Sequence, residues 1–427
     1  MKILINVYYL NDLGGIIPCT ENLVYGLKKI GHKVTVVQSA PKAGFTRKSG
    51  PPERLVEDYY YKTSDRHAAF EKGIGTGYLC RISQFWWDMP KMTYADVAKL
   101  SEDCDLLIHM VPIPTPQSQL RGNMEWMKIY ETCMAPQYAY IHDTNMQKLY
   151  PHILNVCDYL DGLICVHPAA YNSVSELPVD RFLIPNPHKP NQSRDHKYDM
   201  TYREHQIFNV QNFKRWKRAD DLIRAVPHLA NYNIQTRIGG GGIEQHYMSS
   251  ITGKIKKEYV NAHGISIWDE ALLSGFCTYT GYITSKEVVK EMNDARLVVD
   301  CSWSKQHVQY GSHFNRVIVE AMNCGAVPVA TTWAMDGSSY FEQNKNYFAY
   351  DPDISPHDLA YFLETCIGDT YKLQRMSDAN IALLHTHFKP DRIAKKVVDP
   401  HKYLKAKKGT PSDLLKANAV KVMEKFK

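Results

Sequence analysis

One stretch of this sequence, Phe314–Thr331 (FNRVIVEAMNCGAVPVAT), constrains the fold more than any other. Its apolar residues recur at helical spacing up to Gly325, and a glycine just past the last such residue commonly ends a helix. Val327–Ala330 then form a short apolar run, which suits a strand that is covered on both faces of a parallel sheet. The stretch therefore predicts a helix that leads directly into a buried parallel strand.

The same helix carries one charge on its apolar side, Glu320, beside Ala321 and Met322. A carboxylate in such a place needs hydrogen-bond donors, because burying it without partners is costly. A single glutamate on a helix surface more commonly faces water. The residues alone leave both interpretations of Glu320 open.

Composition narrows the class of protein. The chain has 427 residues, enough for two domains, and its 44% hydrophobic and 22% charged residues are typical of a soluble globular protein. No apolar run approaches the ~20 residues of a membrane span. The start of the chain reads as a strand rather than a signal peptide. Ten cysteines without a C-x-x-C pair indicate neither a zinc site nor a redox motif, and we expect a cytoplasmic protein.

The net charge of +6 is weak evidence for a polyanionic partner. Residues 401–427 contain eight lysines against Asp413 and Glu424, which accounts for the whole excess. A basic terminal helix is usually a solvated face.

In the first half of the chain, a strand over Lys2–Tyr9 is followed by a turn with Gly14 and Gly15, a helix, and a second buried strand over Val34–Val37. Such a glycine turn at the start of a helix can face an anion with its backbone N–H groups. A turn that merely needs positive φ explains two glycines equally well. The spacing is not that of the dinucleotide motif, so we do not expect NAD.

A later strand, Tyr138–Ile141, runs directly into His142 and Asp143. Side chains at the carboxyl ends of parallel strands face the ligand crevice, which makes both residues site candidates. Alternatively, Asp143 caps the following helix and His142 is a packing residue.

In the second half, Lys214, Arg215, Lys217 and Arg218 surround Trp216 between a strand and an amphipathic helix. Cations at this place can bind a diphosphate, although solvated surface charge is expected for at least two of them. Repeated strand–helix units then predict a second parallel sheet.

These motifs resemble those of nucleotide-sugar glycosyltransferases of the GT-B fold. The resemblance rests on TYTGYITSKEVVKEMNDARLVVDCS, VIVEAMNCGAVPVAT and FLIPN, and on GHKVTVV near the start. It implies an α/β fold of two facing Rossmann-like domains with parallel sheets. The acceptor-binding domain is then residues 1–185, the donor-binding domain residues 186–385, and a basic helical C-terminal segment residues 386–427. It also implies a UDP-sugar donor as co-substrate, with no required cofactor or metal.

The resemblance assigns roles residue by residue. Glu320 corresponds to the residue that binds the nucleotide ribose, Lys217 to the diphosphate ligand and Gly15 to the phosphate-facing loop, while His142 and Asp143 lie beside the reacting carbon. Two family residues are missing, because a second Glu is Ser312 here and an Arg is Asn212. We expect Lys214, Arg215 or Arg316 to substitute for them.

The first half is similar to the DNA α-glucosyltransferases of T-even phages, through GHKVTVV, FTRKS, DCDLLIHMVP and the strand entering His142. That branch transfers a sugar, with retention, to 5-hydroxymethylcytosine in phage DNA. It implies double-stranded DNA as partner, a base flipped out of the duplex, and the cytoplasm of the host cell. Arg47 and Lys48 are the candidates for DNA phosphates and Tyr60, in an aromatic run, for stacking, although aromatics are more often core.

Two alternatives stay open. One is a GT-B enzyme for a cell-surface polysaccharide or lipid, for which the lysine-rich C-terminal segment would be a membrane-binding face. The other is a nucleotide-sugar-binding protein without turnover, prompted by Ser312 and Asn212. The sequence does not distinguish glucose from a pentose such as arabinose.

Overall fold

The computed structural model describes residues 1–7, 16–40, 91–113, 125–142, 150–189, 199–241, 245–248, 255–281, 283, 285–303, 316–332, 334 and 340–400. They form two compact units. The first unit comprises the described residues of 1–189 and 388–427, and the second those of 190–387.

The first unit is built on a parallel sheet of seven strands in the order β3-β2-β1-β4-β5-β6-β7. Its strands and helices are β1 (Lys2–Val7), α1 (Ile16–Lys29), β2 (Lys33–Ala40), β3 (Lys91–Thr93), α2 (Tyr94–Ser101), β4 (Leu106–His109), α3 (Lys128–Thr132), β5 (Gln137–Ile141), α4 (Tyr150–Cys157), β6 (Gly162–Cys165), α5 (Pro168–Ser173) and β7 (Arg181–Leu183). Strands β4, β5 and β6 are buried throughout, as expected for a sheet that helices cover on both faces.

The second unit has a parallel sheet of six strands in the order β10-β9-β8-β11-β12-β13. Its elements are β8 (Glu204–Asn212), α6 (Ala219–Leu229), β9 (Gln235–Gly241), α7 (Gln245–Met248), α8 (Ile267–Leu273), β10 (Cys277–Gly281), α9 (Ser285–Asp294), β11 (Ala295–Asp300), α10 (Arg316–Asn323), β12 (Val327–Thr331), β13 (Phe348–Tyr350), α11 (Pro356–Gly368) and α12 (Thr370–His387). The predicted α/β class with two parallel sheets is confirmed.

Within the stretch Phe314–Thr331, the described residues 316–331 fold as their pattern predicts. Helix α10 ends at Asn323, and Gly325 follows with a φ of 76°, a conformation that side chains with a Cβ rarely adopt. Strand β12 is buried along its whole length and pairs with β11 on one side and β13 on the other. The helix and the strand are therefore joined by the tight turn that the glycine permits.

After the second unit, the chain returns to the first through helix α13 (Pro390–Val398), which packs on α1. The contact is close at Gly26, where a Cβ atom would lie 2.1 Å from the carbonyl oxygen of Pro390. Ile393 and Val397 are fully buried in the core beneath α1. The sequence predicted that residues 386–427 form a separate basic helical segment. Helix α13, which lies in that range, is instead part of the first unit. For the residues after 400 that division stays a prediction.

Among the described helices we find none with the length and apolar character that a bilayer crossing requires.

Candidate donor and transfer site

In the second unit, the ends of four parallel strands bring the candidate residues to one edge of the sheet. Strand β8 ends at Asn212, β9 at Gly241, β11 at Asp300 and β12 at Thr331. The carboxyl edge of an open parallel sheet is where ligands bind in α/β folds. Lys217 follows β8 at this edge, in a single 3₁₀ turn over Arg215–Lys217.

Lys217 is a cation held near a buried carboxylate. Its side chain is only partly exposed, and burial of the amine lowers its pKa. Asp300 opposes this shift by attraction, while Lys214 adds to it by repulsion. Asp300 is 2% exposed and accepts hydrogen bonds from both the backbone and the hydroxyl of Ser302. The arrangement keeps a positive charge in a place where a lysine is costly to bury alone, and an anionic ligand would offset that cost further.

The backbone of the Lys217 turn is fixed from two sides. Gln211, on β8, donates from Nε2 to the Lys217 carbonyl at 3.0 Å. The backbone N–H of Trp303, just beyond Asp300, donates to the Trp216 carbonyl at 2.8 Å. The segment that follows Asp300 and the turn that carries Lys217 are therefore bonded to each other.

Glycine is required on the neighbouring strand for this arrangement. Gly240 has a φ of 100°, and a Cβ there would lie 2.0 Å from the carbonyl oxygen of Gln211. A glycine at this position lets the neighbouring backbone approach closely. The backbone that approaches is that of β8 itself, at the residue that holds Lys217.

Arg218 joins the turn to helix α6 in the left-handed conformation, with φ 47° and ψ 41°. Its guanidinium pairs with Asp221 through two contacts, Nε to Oδ2 at 2.7 Å and Nη2 to Oδ1 at 2.9 Å. It also lies 4.8 Å from the centre of the Trp303 ring. Burial, followed by repulsion from Asp220, raises the pKa of Asp221 to about 7, against the attraction of Arg218.

Arg316 is the first residue of helix α10 and Glu320 follows one turn later, and the two side chains are paired with each other. The Arg316 Nη2 lies 2.5 Å from the Glu320 Oε1, with side chains 33% and 23% exposed. Glu320 is therefore neither fully solvated nor without a partner, between the two interpretations left open by the sequence. A ligand hydroxyl that reached this carboxylate would share it with Arg316. Lys214 is exposed and lies 4.8 Å from the centre of the Trp216 ring.

In the first unit, His142 lies directly after β5, at the carboxyl edge of its sheet. Burial lowers its pKa to about 4, although a hydrogen bond with the Met110 backbone opposes the shift, so the imidazole is neutral at pH 7. Its ring stacks on Tyr140 with centroids 5.4 Å apart. The Nε2 of His142 and the hydroxyl of Tyr140 have no hydrogen-bond partner among the described residues. Both atoms can therefore bond a ligand or a water molecule.

A neutral buried network lies beside it, around His109 at the end of β4. The side-chain amide nitrogen of Gln137 donates to the carbonyls of Tyr130 and Cys133, at 2.8 and 3.2 Å. Its Oε1 therefore accepts from His109 Nε2 at 3.2 Å, which leaves His109 Nδ1 to accept from Asn6 at 3.5 Å. Burial lowers the pKa of His109 to about 3, so this tautomer stays neutral.

Several predicted site residues lie outside the described residues, namely Gly15, Asp143, Arg47, Lys48, Tyr60 and Ser312. Their roles stay predictions. The described part of the chain contains no group of three or more His, Cys, Asp or Glu side chains that could hold a metal ion.

Sequence reasoning did not identify two features near Lys217. One is the carboxylate of Asp300, and the other is the pair formed by Arg218 and Asp221. Asp300 is the last residue of its strand, and that position is a usable signal because strand ends line the crevice. The left-handed backbone of Arg218 has no such signal, since arginine has no preference for that conformation.

Comparison with known proteins agrees with this geometry. Residues 195–382 match the family described as Glycosyl transferases group 1. No curated protein sequence matches the chain. Its fold is similar to that of Anabaena Alr3699/HepE in complex with UDP-glucose, with a TM-score of 0.59 and 17% identity over 95% of this chain and 100% of that one.

Two further solved structures are comparably similar. S. aureus TarM, in complex with Fondaparinux, alpha-GlcNAc-glycerol and UDP, has a TM-score of 0.62 and 15% identity over 93% of this chain and 99% of that one. An α-glucosyltransferase in complex with UDP-glucose and DNA containing an abasic site has a TM-score of 0.62 and 13% identity over 94% and 99%. The chain has the GT-B fold and is a glycosyltransferase.

Proposed function

We propose that this glycosyltransferase moves a sugar from a UDP-sugar to the hydroxymethyl group of 5-hydroxymethylcytosine in phage DNA, with retention at the anomeric carbon. The observation that carries the donor half is the buried amine of Lys217 beside Asp300, at the carboxyl edge of the second sheet. The UDP-sugar donor is also supported by the similar structures that contain UDP or UDP-glucose.

In this proposal, Lys217 binds the diphosphate and Glu320 binds the ribose hydroxyls. Negative charge grows on the diphosphate as the bond to the sugar breaks, so a cation placed there stabilises the transition state more than the ground state. Arg316 and Lys214 are the further donor ligands, and Arg316 shares the Glu320 carboxylate with the ribose hydroxyls. These cations replace the family arginine that is Asn212 here.

His142 and Asp143 serve the sugar and the acceptor. In a retaining reaction, the incoming hydroxyl arrives on the face from which the diphosphate leaves. The opposite face needs only a stabilising dipole, for which the backbone carbonyl of His142 is our candidate. The neutral imidazole has an Nε2 without a hydrogen-bond partner among the described residues, and this atom can bond a sugar hydroxyl. Asp143 orients the acceptor or stabilises the oxocarbenium-like centre.

The acceptor is proposed from the resemblance of the first half and from the similar structure that contains DNA. A hydroxymethyl group on a stacked pyrimidine reaches a crevice only if the nucleotide is rotated out of the duplex, at a cost of a few kcal/mol. Arg47 and Lys48 would hold phosphates and Tyr60 would stack. The enzyme then acts in the cytoplasm of the infected host.

The test is nucleoside mass analysis after incubation of the full chain with hydroxymethylated duplex DNA and a panel of UDP-sugars. We expect one nucleoside to gain the mass of a hexose or a pentose, and Lys217→Ala to lower the rate about 10²–10³-fold. Unmodified cytosine DNA is the control substrate. Absence of a product on DNA, with intact hydrolysis of a UDP-sugar, would contradict the acceptor assignment alone.

A polysaccharide acceptor is the second candidate, favoured by the similarity to TarM, whose structure contains Fondaparinux and alpha-GlcNAc-glycerol. The two acceptors differ in how binding responds to salt. Affinity for DNA should fall by about one unit of log–log slope for each phosphate contact, and Arg47→Ala should remove about one such unit. A flat salt response would favour the glycan.

A further inference from the structure

We propose that Arg218 is a positioning residue for Lys217: its side chain, held by Asp221 and Trp303, keeps the turn in the shape that places the lysine amine on the diphosphate. This inference rests on the proposed function of Lys217. It assigns a task to the one residue that joins the diphosphate turn to helix α6.

Arg218 is an unusual residue for its position. It is the N-cap of α6, where Ser, Thr, Asp or Asn normally accept a hydrogen bond from the helix backbone, and it makes no such bond. A cation at a helix N-terminus also meets the positive end of the helix dipole. Helix stability therefore does not account for an arginine here.

Its backbone conformation is costly as well. The φ of 47° lies in the left-handed region, which disfavours residues with a Cβ by roughly 1–2 kcal/mol. Such strain persists only where surrounding contacts determine the conformation. Those contacts are the two bonds to Asp221, at 2.7 and 2.9 Å, and the stacking on Trp303.

The contacts of Arg218 converge on Lys217. Asp221 belongs to the first turn of α6, so its bonds to Arg218 tie the end of the 3₁₀ turn to that helix. The Trp303 ring lies against the guanidinium. The backbone N–H of Trp303 donates to the carbonyl of Trp216, the residue before Lys217. With the Gln211 bond to the Lys217 carbonyl, every residue of the segment 216–218 is fixed from outside. A lysine on such a turn has few directions in which to point.

A double-mutant cycle tests the inference on the full chain. Calorimetric affinities are measured for UDP and for uridine, in wild type, Arg218→Gly, Lys217→Ala and the double variant. Glycine tolerates the left-handed backbone, so Arg218→Gly removes the side chain without adding strain. We expect it to weaken UDP about tenfold and to leave uridine within about twofold, since uridine has no diphosphate for Lys217.

The double variant supplies the decisive comparison. If Arg218 acts through Lys217, then Arg218→Gly has no further effect on UDP once Lys217 is alanine. Equal losses in both backgrounds, or no loss in the wild-type background, would overturn the inference and leave Arg218 a structural residue. Arg218→Lys should restore part of the affinity, because a single ammonium can still pair with Asp221.

A second variant guards against misfolding. Asp221→Asn keeps the volume of the side chain and removes the charge that holds Arg218, so it should weaken UDP in the same direction, again without effect in the Lys217→Ala background. Melting curves identify any variant that has not folded. A folded wild type that binds neither UDP nor uridine would contradict the proposed function itself, whereas UDP binding that survives Arg218→Gly and Asp221→Asn unchanged would contradict only the role of Arg218.

Discussion

The two units solve the same folding problem with different buried chemistry. Each is a parallel sheet between helices. Among the described residues, the fully buried polar side chains of the first unit are all uncharged at pH 7, whereas the second unit also buries the charged side chains of Arg203 and Asp300. The imidazole of His109 is bonded by the uncharged side chains of Asn6 and Gln137, and burial keeps it neutral. In the second unit, Arg218 pairs with Asp221 and the amine of Lys217 lies near Asp300.

We relate the difference to the ligands proposed for each sheet edge. A buried ion pair contributes little to stability, because the desolvation of both charges offsets their attraction. Charges kept at a sheet edge in spite of this cost indicate a charged ligand, and a diphosphate fits the second unit. A neutral edge suits an uncharged sugar or acceptor, which fits the first.

The largest effect should come from Arg203, a buried cation at the start of β8. It donates to the carbonyls of Met292, Ala295 and Cys324, at 3.0, 2.8 and 2.6 Å. Arg203→Met leaves these buried carbonyls without their charged donor, and should lower the free energy of unfolding of the second unit by about 3 kcal/mol. Hydrogen exchange of the β11 amides during urea titration measures it.

A matched control exists in the first unit. Arg181 is partly buried and donates once, from Nη1 to the carbonyl of Tyr171 at 2.8 Å. Arg181→Met should cost about 1 kcal/mol. Equal losses for Arg203→Met and Arg181→Met would remove the contrast in how the units use buried charge.

The next effect is acid destabilisation of the first unit through His109. Its folded pKa of about 3 lies below the value of 6.5 for an unperturbed histidine, so the unfolded chain binds the extra proton between these values. Stability is therefore complete above pH 6.5 and is lost as the pH falls towards 3. Between pH 7 and pH 5 the loss should be about 2 kcal/mol.

Exchange of the β5 amides as a function of pH measures this loss. Glutamine does not titrate. Between pH 5 and 6.5, unfolding of His109→Gln should therefore take up about one proton fewer than unfolding of the wild type, and its free energy of unfolding should change less with pH. His142, with a folded pKa of about 4, adds a term of the same sign. An unchanged pH slope in His109→Gln would show that the network does not control acid stability.

A smaller effect is expected at Glu320. Glu320→Gln keeps the shape of the side chain but removes the charge that we assign to the ribose hydroxyls. Uridine affinity should fall about tenfold, as for hydrogen bonds to a charged group. Titration calorimetry measures it, with the exposed Glu258→Gln in the same unit as control. Uridine affinity that is unchanged in Glu320→Gln would separate this carboxylate from the ribose.

The smallest effects should be equal in the two units. Thr93 caps α2 by accepting from the Asp96 N–H at 3.2 Å, and Ser266 caps α8 by accepting from the Asp269 N–H at 3.0 Å. Each alanine substitution should cost about 1 kcal/mol, because one N–H at the helix start loses its partner. Thermal melting compares them. A large inequality would mean that the units differ in their helix ends as well as in their buried charge.

The sequence predicted the repeated strand–helix order well, because long apolar runs and glycine stops are local signals. It missed β13 and α8. Strand β13 has only three residues, Phe348–Tyr350, within an aromatic run that has no clear period. Helix α8 could have been predicted from its first residues, because Ser266 precedes Asp269 at the spacing of a capping box.

The site was predictable only in part, because pairing is not local. Lys217 and Glu320 could be picked out by position in a motif, but their neighbours Asp300 and Arg316 became partners only in three dimensions. The left-handed conformation of Arg218 depends on Asp221 and Trp303, which no spacing rule connects.

Helix α13, which closes over α1, has a consequence for synthesis of the protein on the ribosome. The buried residues of α1, Leu23 and Leu27, share a core with Ile393 and Val397, which are translated only after the whole second unit. At ribosomal rates of about 5–20 residues per second, that delay is on the order of tens of seconds. The second unit has time to complete its sheet in this interval, while the apolar residues of α1 in the nascent first unit still lack their partners in α13. The order of maturation is therefore the reverse of the order of translation.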